Sequence, residues 1–239
     1  MRSFLIIILI VLYLICTLPL LLILSIMQKR NEKKAERIAH RCICWILHGI
    51  SFLAGIKLTV EGLENVPDDI PVLYVSNHRS YFDIVLTYPL CKLPTSYVAK
   101  EDLKHIPFFG IWGSLMRALF FDRSNVKASV KMVLDGVSRL KSDTSVYIFP
   151  EGTRNKNKEE LPLLDFHDGS FKMASKSGAP VVPIAIKNTM DVWEGHKPWV
   201  HSNQVTIRYG KPIYIKDLPA ENQKHVGAYM KNIIEEMLA

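Results

Sequence analysis

The feature that most constrains this sequence is an uninterrupted apolar stretch near its start. Residues 4–27 carry no charge over 24 positions, and Leu and Ile dominate them. As a helix that rises about 1.5 Å per residue, such a stretch can cross a hydrocarbon core of about 30 Å. A secretory signal peptide is the alternative, but no A-x-A-like cleavage site follows the stretch. The sequence therefore predicts an uncleaved segment that is embedded in a membrane.

A cluster of basic residues follows the apolar stretch directly. Residues 29–41 contain six Lys or Arg and two Glu, which together contribute +4 to the formal net charge of +7. Basic residues beside a membrane segment favour the cytoplasmic side. We therefore expect a membrane protein whose remaining chain lies on the cytoplasmic face. Because so much of the charge belongs to this flank, we expect no nucleic-acid partner.

A second, shorter apolar run occupies residues 42–56. Its fifteen residues are too few for an ordinary membrane span, which favours an interfacial or re-entrant helix; a buried core helix is the alternative. Together with the first stretch, this run predicts an N-terminal membrane-embedded helical segment or helix pair over residues 1–56. Residues 57–239 then form a separate domain.

Beyond residue 56 the pattern changes to short apolar runs separated by polar turns. Alternation over residues 57–62 indicates a strand with one wet face, and apolar stripes over residues 125–141 and 221–238 indicate helices. Strands that alternate with helices predict an α/β fold with a largely parallel sheet flanked by helices. The other strand candidates are residues 72–75, 96–99, 118–121, 145–149, 181–186 and 205–209.

The four cysteines form no recognisable metal-binding pattern. Cys42 and Cys44 are too close together for a usual zinc half-site, and no cluster of Cys and His accompanies them. We therefore expect a reduced protein that binds no metal.

A histidine and an aspartate five residues apart follow the strand predicted at residues 72–75. On a regular helix His78 and Asp83 would point about 140° apart, so they can meet only if His78 lies in the turn and Asp83 begins a helix. A carboxylate beside an imidazole fixes its tautomer and stabilises the imidazolium, which makes a general base. Taken alone, the pair can also be a loop residue and an ordinary helix start.

Other predicted strands also end at charged or conformationally special residues. Lys100 and Arg123 each follow a strand, and Glu151, Gly152 and Arg154 follow another. Glycine lets the backbone approach a ligand, and the planar arginine fork suits phosphate. Ligands of open α/β sheets bind where buried strands stop. Together these positions predict a general base beside a phosphate site, and the membrane segment indicates a phospholipid that carries a hydroxyl group.

These motifs resemble those of the glycerolipid acyltransferases, in particular the 1-acyl-glycerol-3-phosphate acyltransferases. Residues 77–83 match the N-H-x-x-x-x-D block of that family. Three further blocks follow in the expected order at residues 121–123, 149–154 and 181–186. Four blocks in order are much more specific than the first block alone.

The resemblance implies transfer of a fatty acyl group from acyl-coenzyme A or acyl carrier protein to the 2-hydroxyl of 1-acyl-glycerol-3-phosphate, which gives phosphatidic acid. His78 would take the hydroxyl proton and Asp83 would orient the imidazole. Because a thioester is already activated, no cofactor or metal is expected. The implied partners are the two substrates and the bilayer. The implied substrate-binding residues are Lys100, Arg123 and Arg154 for the phosphate, and Glu151 and Gly152 for the glycerol.

The sequence departs from the family pattern at one turn. Many relatives have F-K-x-G before a helix, whereas this chain has His167 in place of the lysine, so we assign no anion contact there. The motifs do not separate 1-acyl-glycerol-3-phosphate from glycerol-3-phosphate or another lysophospholipid as the acceptor. A membrane-tethered phospholipid-binding protein without activity is the alternative from a different class.

Overall fold

The structure is a computed structural model that describes residues 1–106, 108–122 and 126–239, without the side chain of Val126. Within these residues one seven-stranded sheet forms the centre of the fold. All seven strands predicted from the sequence are present. They are β1 (Lys57–Glu61), β2 (Leu73–Ser76), β3 (Thr95–Lys100), β4 (Leu119–Phe121), β5 (Ser145–Ile148), β6 (Val181–Lys187) and β7 (Gln204–Tyr209).

Strand order and direction place several strand ends along one edge of the sheet. The order is β1-β7-β6-β2-β5-β3-β4, and every neighbouring pair is parallel except β6 and β7. Parallel neighbours end at the same edge, so the carboxyl ends of β6, β2, β5 and β3 are adjacent. The predicted α/β fold with a largely parallel sheet is confirmed.

Helices pack on both faces of the sheet. In β2, Leu73 and Val75 belong to an apolar cluster on one face and Tyr74 to a cluster on the other. Burial on both faces explains why the central strands are almost continuously apolar. The helices are α1 (Arg2–Arg30), α2 (Glu32–Ala54), α3 (Phe82–Thr87), α4 (Phe109–Leu115), α5 (Val126–Leu140), α6 (Lys172–Ser177), α7 (Ala220–Lys224) and α8 (Val226–Leu238).

Two helix boundaries differ from those predicted. Helix α2 begins at Glu32, well before residue 42, because the Asn31 side chain accepts a hydrogen bond from the Lys34 N–H at 3.0 Å and caps the first turn. Residues 32–41 of the basic cluster are therefore the first part of this helix, whereas Lys29 and Arg30 end α1. The single helix predicted over residues 221–238 is wrong: the chain leaves helical geometry at His225, which separates α7 from α8. Residue 125, the predicted start of α5, lies outside the described residues.

Helix α1 lies along the domain and does not project away from it. Near its start the Ser3 Oγ accepts a hydrogen bond from the Val200 N–H at 2.7 Å, and near its end Gln28 Nε2 donates to the Ser114 carbonyl at 2.9 Å. One side of α1 packs with α2 and α4 in an apolar cluster. Many apolar side chains on its other side are exposed. By length and composition, it is the one described helix that could cross a membrane.

Candidate active site

The loop that follows β2 carries the candidate active site at the carboxyl edge of the sheet. Asn77, the first residue of this loop, makes two hydrogen bonds to Ile186 near the end of β6. Its Nδ2 donates to the Ile186 carbonyl at 2.8 Å, and its Oδ1 accepts from the Ile186 N–H at 2.9 Å. The amide side chain satisfies backbone groups that no neighbouring strand reaches. It thereby fixes the point at which the loop leaves the sheet.

His78 and Asp83 are in direct contact. His78 lies in the turn and Asp83 lies in the first turn of α3, with 2.7 Å between His78 Nδ1 and Asp83 Oδ2. The same carboxylate oxygen accepts hydrogen bonds from the N–H groups of Arg79 at 2.8 Å and Ser80 at 2.9 Å. The other oxygen, Oδ1, accepts from the Thr189 hydroxyl at 2.5 Å. The aspartate is 1% exposed, so one buried carboxylate holds both the imidazole and its loop.

The imidazole of His78 has one nitrogen available for a substrate. Because an ionised carboxylate can only accept, the Nδ1 atom carries the proton in the contact with Asp83 and Nε2 has a free lone pair. The ring stacks on Phe149, with 4.0 Å between centroids, and its side chain is 15% exposed. Among the described residues, nothing forms a hydrogen bond to Nε2. This nitrogen can accept a proton from a bound hydroxyl group.

Glu151 binds the backbone of the loop that carries His78. Its Oε1 accepts from the His78 N–H at 2.6 Å and its Oε2 accepts from the Leu164 N–H at 3.1 Å. Burial raises the pKa of Glu151 to about 7, although the two backbone donors lower it. The neighbouring Gly152 has a φ of 68° and closes a turn through its N–H to the Phe149 carbonyl at 2.9 Å. Such a φ favours glycine.

Arg154 lies beside the loop of His78 and forms an ion pair. Its Nη1 donates to Glu194 Oε1 at 2.9 Å, and its guanidinium carbon lies 4.0 Å from the centroid of the Tyr81 ring. Glu194 also accepts from the Ser80 hydroxyl and, at 3.1 Å, from the Tyr81 N–H. The arginine is thus fixed against the same loop that carries the histidine.

Lys100, another predicted phosphate ligand, is not part of this cluster. Lys100 ends β3, which β5 separates from β2, and its exposed ammonium forms an ion pair with Asp102. Arg123 lies outside the described residues. Of the two predicted phosphate ligands that the structure describes, Arg154 lies at the loop of His78 and Lys100 does not.

Two residues of the cluster, Thr189 and Glu194, are missing from the sequence-based prediction. Both follow β6, whose end lies beside the end of β2. The rule that polar residues after a buried strand are candidates would also have selected this segment.

The chemical capacity of the site follows from these contacts. A His–Asp pair can remove a proton from a hydroxyl group, and an adjacent arginine can bind an anionic group of the same substrate. Within the described residues, no group of three or more His, Cys, Asp or Glu side chains could hold a metal ion. The fold and the site therefore define an α/β protein that has a His–Asp pair beside an arginine at the carboxyl edge of its sheet.

The family follows from comparison with known proteins. Residues 57–187, more than half of the chain, match the model of the family described as Acyltransferase. The chain therefore belongs to the acyltransferase family, and the resemblance found in its sequence motifs is confirmed.

Several curated relatives carry the same description, 1-acyl-sn-glycerol-3-phosphate acyltransferase. A chloroplastic protein of Brassica napus is 34% identical over 75% of this chain and 52% of its own length. A protein of Saccharomyces cerevisiae is 26% identical over 87% of this chain and 66% of its own length. A protein of Escherichia coli is 25% identical over 91% and 85%, respectively. The chain thus spans about half the length of the Brassica relative and about two thirds of the yeast one.

A solved structure shares the fold over the whole chain. The crystal structure of the 1-acyl-sn-glycerophosphate (LPA) acyltransferase PlsC from Thermotoga maritima has a TM-score of 0.75 to this chain. The likeness covers 100% of this chain and 97% of that one at 22% sequence identity. The helices that precede the sheet are therefore part of the shared architecture.

Proposed function

We propose that the protein transfers a fatty acyl group from an acyl thioester to the 2-hydroxyl of 1-acyl-glycerol-3-phosphate, which gives phosphatidic acid. The curated relatives named above support this activity and this acceptor. The observation that carries the proposal is the 2.7 Å contact between His78 and Asp83, with no hydrogen bond from the described residues to the second imidazole nitrogen. Acyl-coenzyme A and acyl carrier protein are both suitable donors.

In the proposed mechanism His78 acts as the general base. Its Nε2 removes the hydroxyl proton as the acceptor oxygen attacks the thioester carbonyl, and the C–S bond then breaks to release a thiolate. The imidazolium returns its proton to that sulfur, so the histidine is neutral again after each turnover. Asp83 holds the ring and stabilises the imidazolium between these two steps. The reaction needs no covalent intermediate on the protein and no metal.

The acceptor is held by its phosphate in this proposal. Arg154 lies next to the catalytic loop and has donors in addition to the one bound to Glu194. We assign Arg154 to the phosphate, and Glu151 and Gly152 to the loop beneath the glycerol. The roles of Lys100 and Arg123 stay predictions from the sequence. Binding the phosphate places the free hydroxyl near His78, which lowers the entropic cost of the reaction.

An acceptor panel tests the function. Full-length protein in detergent should release thiol from oleoyl-coenzyme A or oleoyl-acyl carrier protein when 1-acyl-glycerol-3-phosphate is added. Release should be weaker with glycerol-3-phosphate and with 1-acyl-glycerol, because each lacks one of the two recognised groups. Equal rates with 1-acyl-glycerol would contradict phosphate recognition. No acceptor-dependent release with either donor would leave a phospholipid-binding protein as the remaining function.

We further propose that residues 1–56 anchor residues 57–239, the catalytic domain, at the cytoplasmic face of a membrane. Support comes from the exposed apolar side of α1, on which Phe4 is 64% and Leu22 is 66% exposed. Both ends of α1 are bonded to the domain, so the helix can enter the bilayer only by its exposed side. In this arrangement α1 lies within one leaflet, and the basic start of α2 faces the anionic lipid surface.

Cysteine labelling distinguishes an embedded α1 from a spanning one. In a variant without native cysteines, Arg2→Cys and Lys29→Cys should both react with a membrane-impermeant maleimide in inverted vesicles, which expose the cytoplasmic face. The exposed native Cys16, restored alone, is the control and should stay unlabelled because lipid covers it. Labelling at only one of the two ends would mean that α1 crosses the bilayer.

A further inference from the structure

Glu194 occupies a central position among the residues around His78. It belongs to a short 3-10 helix (Glu194–His196) after β6, and its side chain is 10% exposed. Its carboxylate accepts hydrogen bonds from the Ser80 hydroxyl, the Tyr81 N–H and Arg154 Nη1. One carboxylate therefore connects the loop after β2 with the loop after β5.

The contacts of Glu194 fix the orientation of the Arg154 guanidinium. The group stacks over the Tyr81 ring at 4.0 Å, and the Tyr81 ring in turn packs against Trp193, with 5.7 Å between centroids. All five guanidinium N–H donors lie in one plane. The ring contact and the bound Nη1 restrict the rotation of the guanidinium, so its adjacent Nε and Nη2 donors can act as a fork. Such a fork binds two oxygens of one phosphate.

We propose that Glu194 is a positioning residue that presents Arg154 to the phosphate of the acceptor. This inference rests on the proposed function. The charge of Glu194 is balanced by three donors, so the carboxylate orients the arginine without facing the phosphate unpaired. The side chain of Arg154 is 25% exposed, which leaves it open to a ligand. The assembly recognises a phosphate monoester, and uncharged acceptors do not depend on it.

A general loss of loop order is the competing explanation for any effect at Glu194. A second glutamate in the same region provides a matched control. Glu160 Oε1 accepts from the Asn188 N–H at 2.5 Å, which fastens the start of the same loop without a contact to Arg154. Glu160→Ala removes a carboxylate that binds this loop, as Glu194→Ala does, but it leaves the arginine contacts intact.

The experiment compares acceptor affinity and turnover in five variants. Glu194→Ala should raise KM for 1-acyl-glycerol-3-phosphate by about tenfold, the effect of losing one hydrogen bond to a charged group, with a much smaller change in kcat. Glu194→Gln should restore most of the affinity, because its oxygen can still accept from Tyr81 and Arg154. Glu160→Ala should leave KM unchanged. In an Arg154→Ala background, Glu194→Ala should have no further effect on KM.

Three results would overturn the inference. An equal rise in KM in Glu160→Ala would attribute the effect to loop order. An undiminished effect of Glu194→Ala in the Arg154→Ala background would mean that the glutamate does not act through the arginine. An unchanged KM in Glu194→Ala would show that Glu194 does not contribute to acceptor binding.

Calorimetric titration separates this inference from the proposed activity. The acceptor 1-acyl-glycerol-3-phosphate is titrated into the full-length protein without an acyl donor, so no turnover is required. Weaker binding in Glu194→Ala and unchanged binding in Glu160→Ala would support the inference even if no acyl transfer were found. Transfer by the natural protein, with equal acceptor binding in both variants, would support the function and contradict the inference.

Discussion

Replacing His78 with alanine should lower kcat for acyl transfer by about 100-fold or more, the range expected when a general base is lost. The imidazole contacts Asp83 through Nδ1, and its side chain is 15% exposed, so Nε2 is the atom that would take the hydroxyl proton. The affinity for the acceptor should change little, because the phosphate is assigned to Arg154. Steady-state kcat and KM at saturating acyl thioester would measure both effects.

The matched control for this prediction is His225→Ala. His225 is exposed between α7 and α8, and its carbonyl accepts from the Tyr229 N–H. Its replacement should leave kcat unchanged. The thermal midpoint of His78→Ala should stay close to that of the natural protein, because Asp83 Oδ2 still accepts from the N–H groups of Arg79 and Ser80. A kcat within about twofold of the natural value, against the loss expected for a general base, would show that His78 is not that base.

The contact between His78 and Asp83 could be predicted because it depends on local sequence. A spacing of five residues excludes a contact between His78 and Asp83 on one regular helix and allows it across a turn. The structure has this arrangement, with Asp83 in the first turn of α3. The strand before this pair could also be predicted from the sequence, because its residues are apolar up to Ser76. In the structure β2 is buried along its whole length.

The residues that contact the His78 loop and Asp83 from distant parts of the sequence could not be predicted from local pattern. Thr189 lies 106 residues after Asp83, and Glu194 lies 113 residues after Tyr81. Their contacts depend on the position of β6 beside β2, and the hydrophobic pattern of a strand does not specify its neighbour in the sheet. The ion pair of Arg154 has the same origin. A sequence pattern identifies an arginine that suits phosphate but not the carboxylate with which it pairs.

Helix boundaries depended on single residues that the apolar pattern does not contain. The cap formed by Asn31 starts α2 at a charged segment, and non-helical geometry at His225 divides the C-terminal stripe. In both places the apolar pattern correctly indicated a helix. The residue before each helix, Asn31 for α2 and His225 for α8, determined where that helix starts.

Replacing Asp83 with asparagine should lower kcat by about 100-fold and should leave KM and the fold nearly unchanged. Asp83 Oδ2 accepts from His78 Nδ1 and from the N–H groups of Arg79 and Ser80, whereas Oδ1 accepts from the Thr189 hydroxyl. Asparagine can keep its oxygen toward the three nitrogen donors and direct its NH2 group toward Thr189, because a hydroxyl can accept as well as donate. The ring is then held as before, but the negative charge that stabilises the imidazolium is lost.

Two further variants separate the charge of Asp83 from its hydrogen bonds. Asp83→Ala leaves four donors without an acceptor in a buried site, so its thermal midpoint should fall well below that of Asp83→Asn. Adding Thr189→Val to Asp83→Asn removes the acceptor for the amide group, so the double variant should also lose stability. Steady-state kinetics and thermal midpoints on all variants test this ordering. Natural turnover in Asp83→Asn would mean that the carboxylate acts only by holding the loop, and unfolding of Asp83→Asn would refute the orientation assigned to its amide.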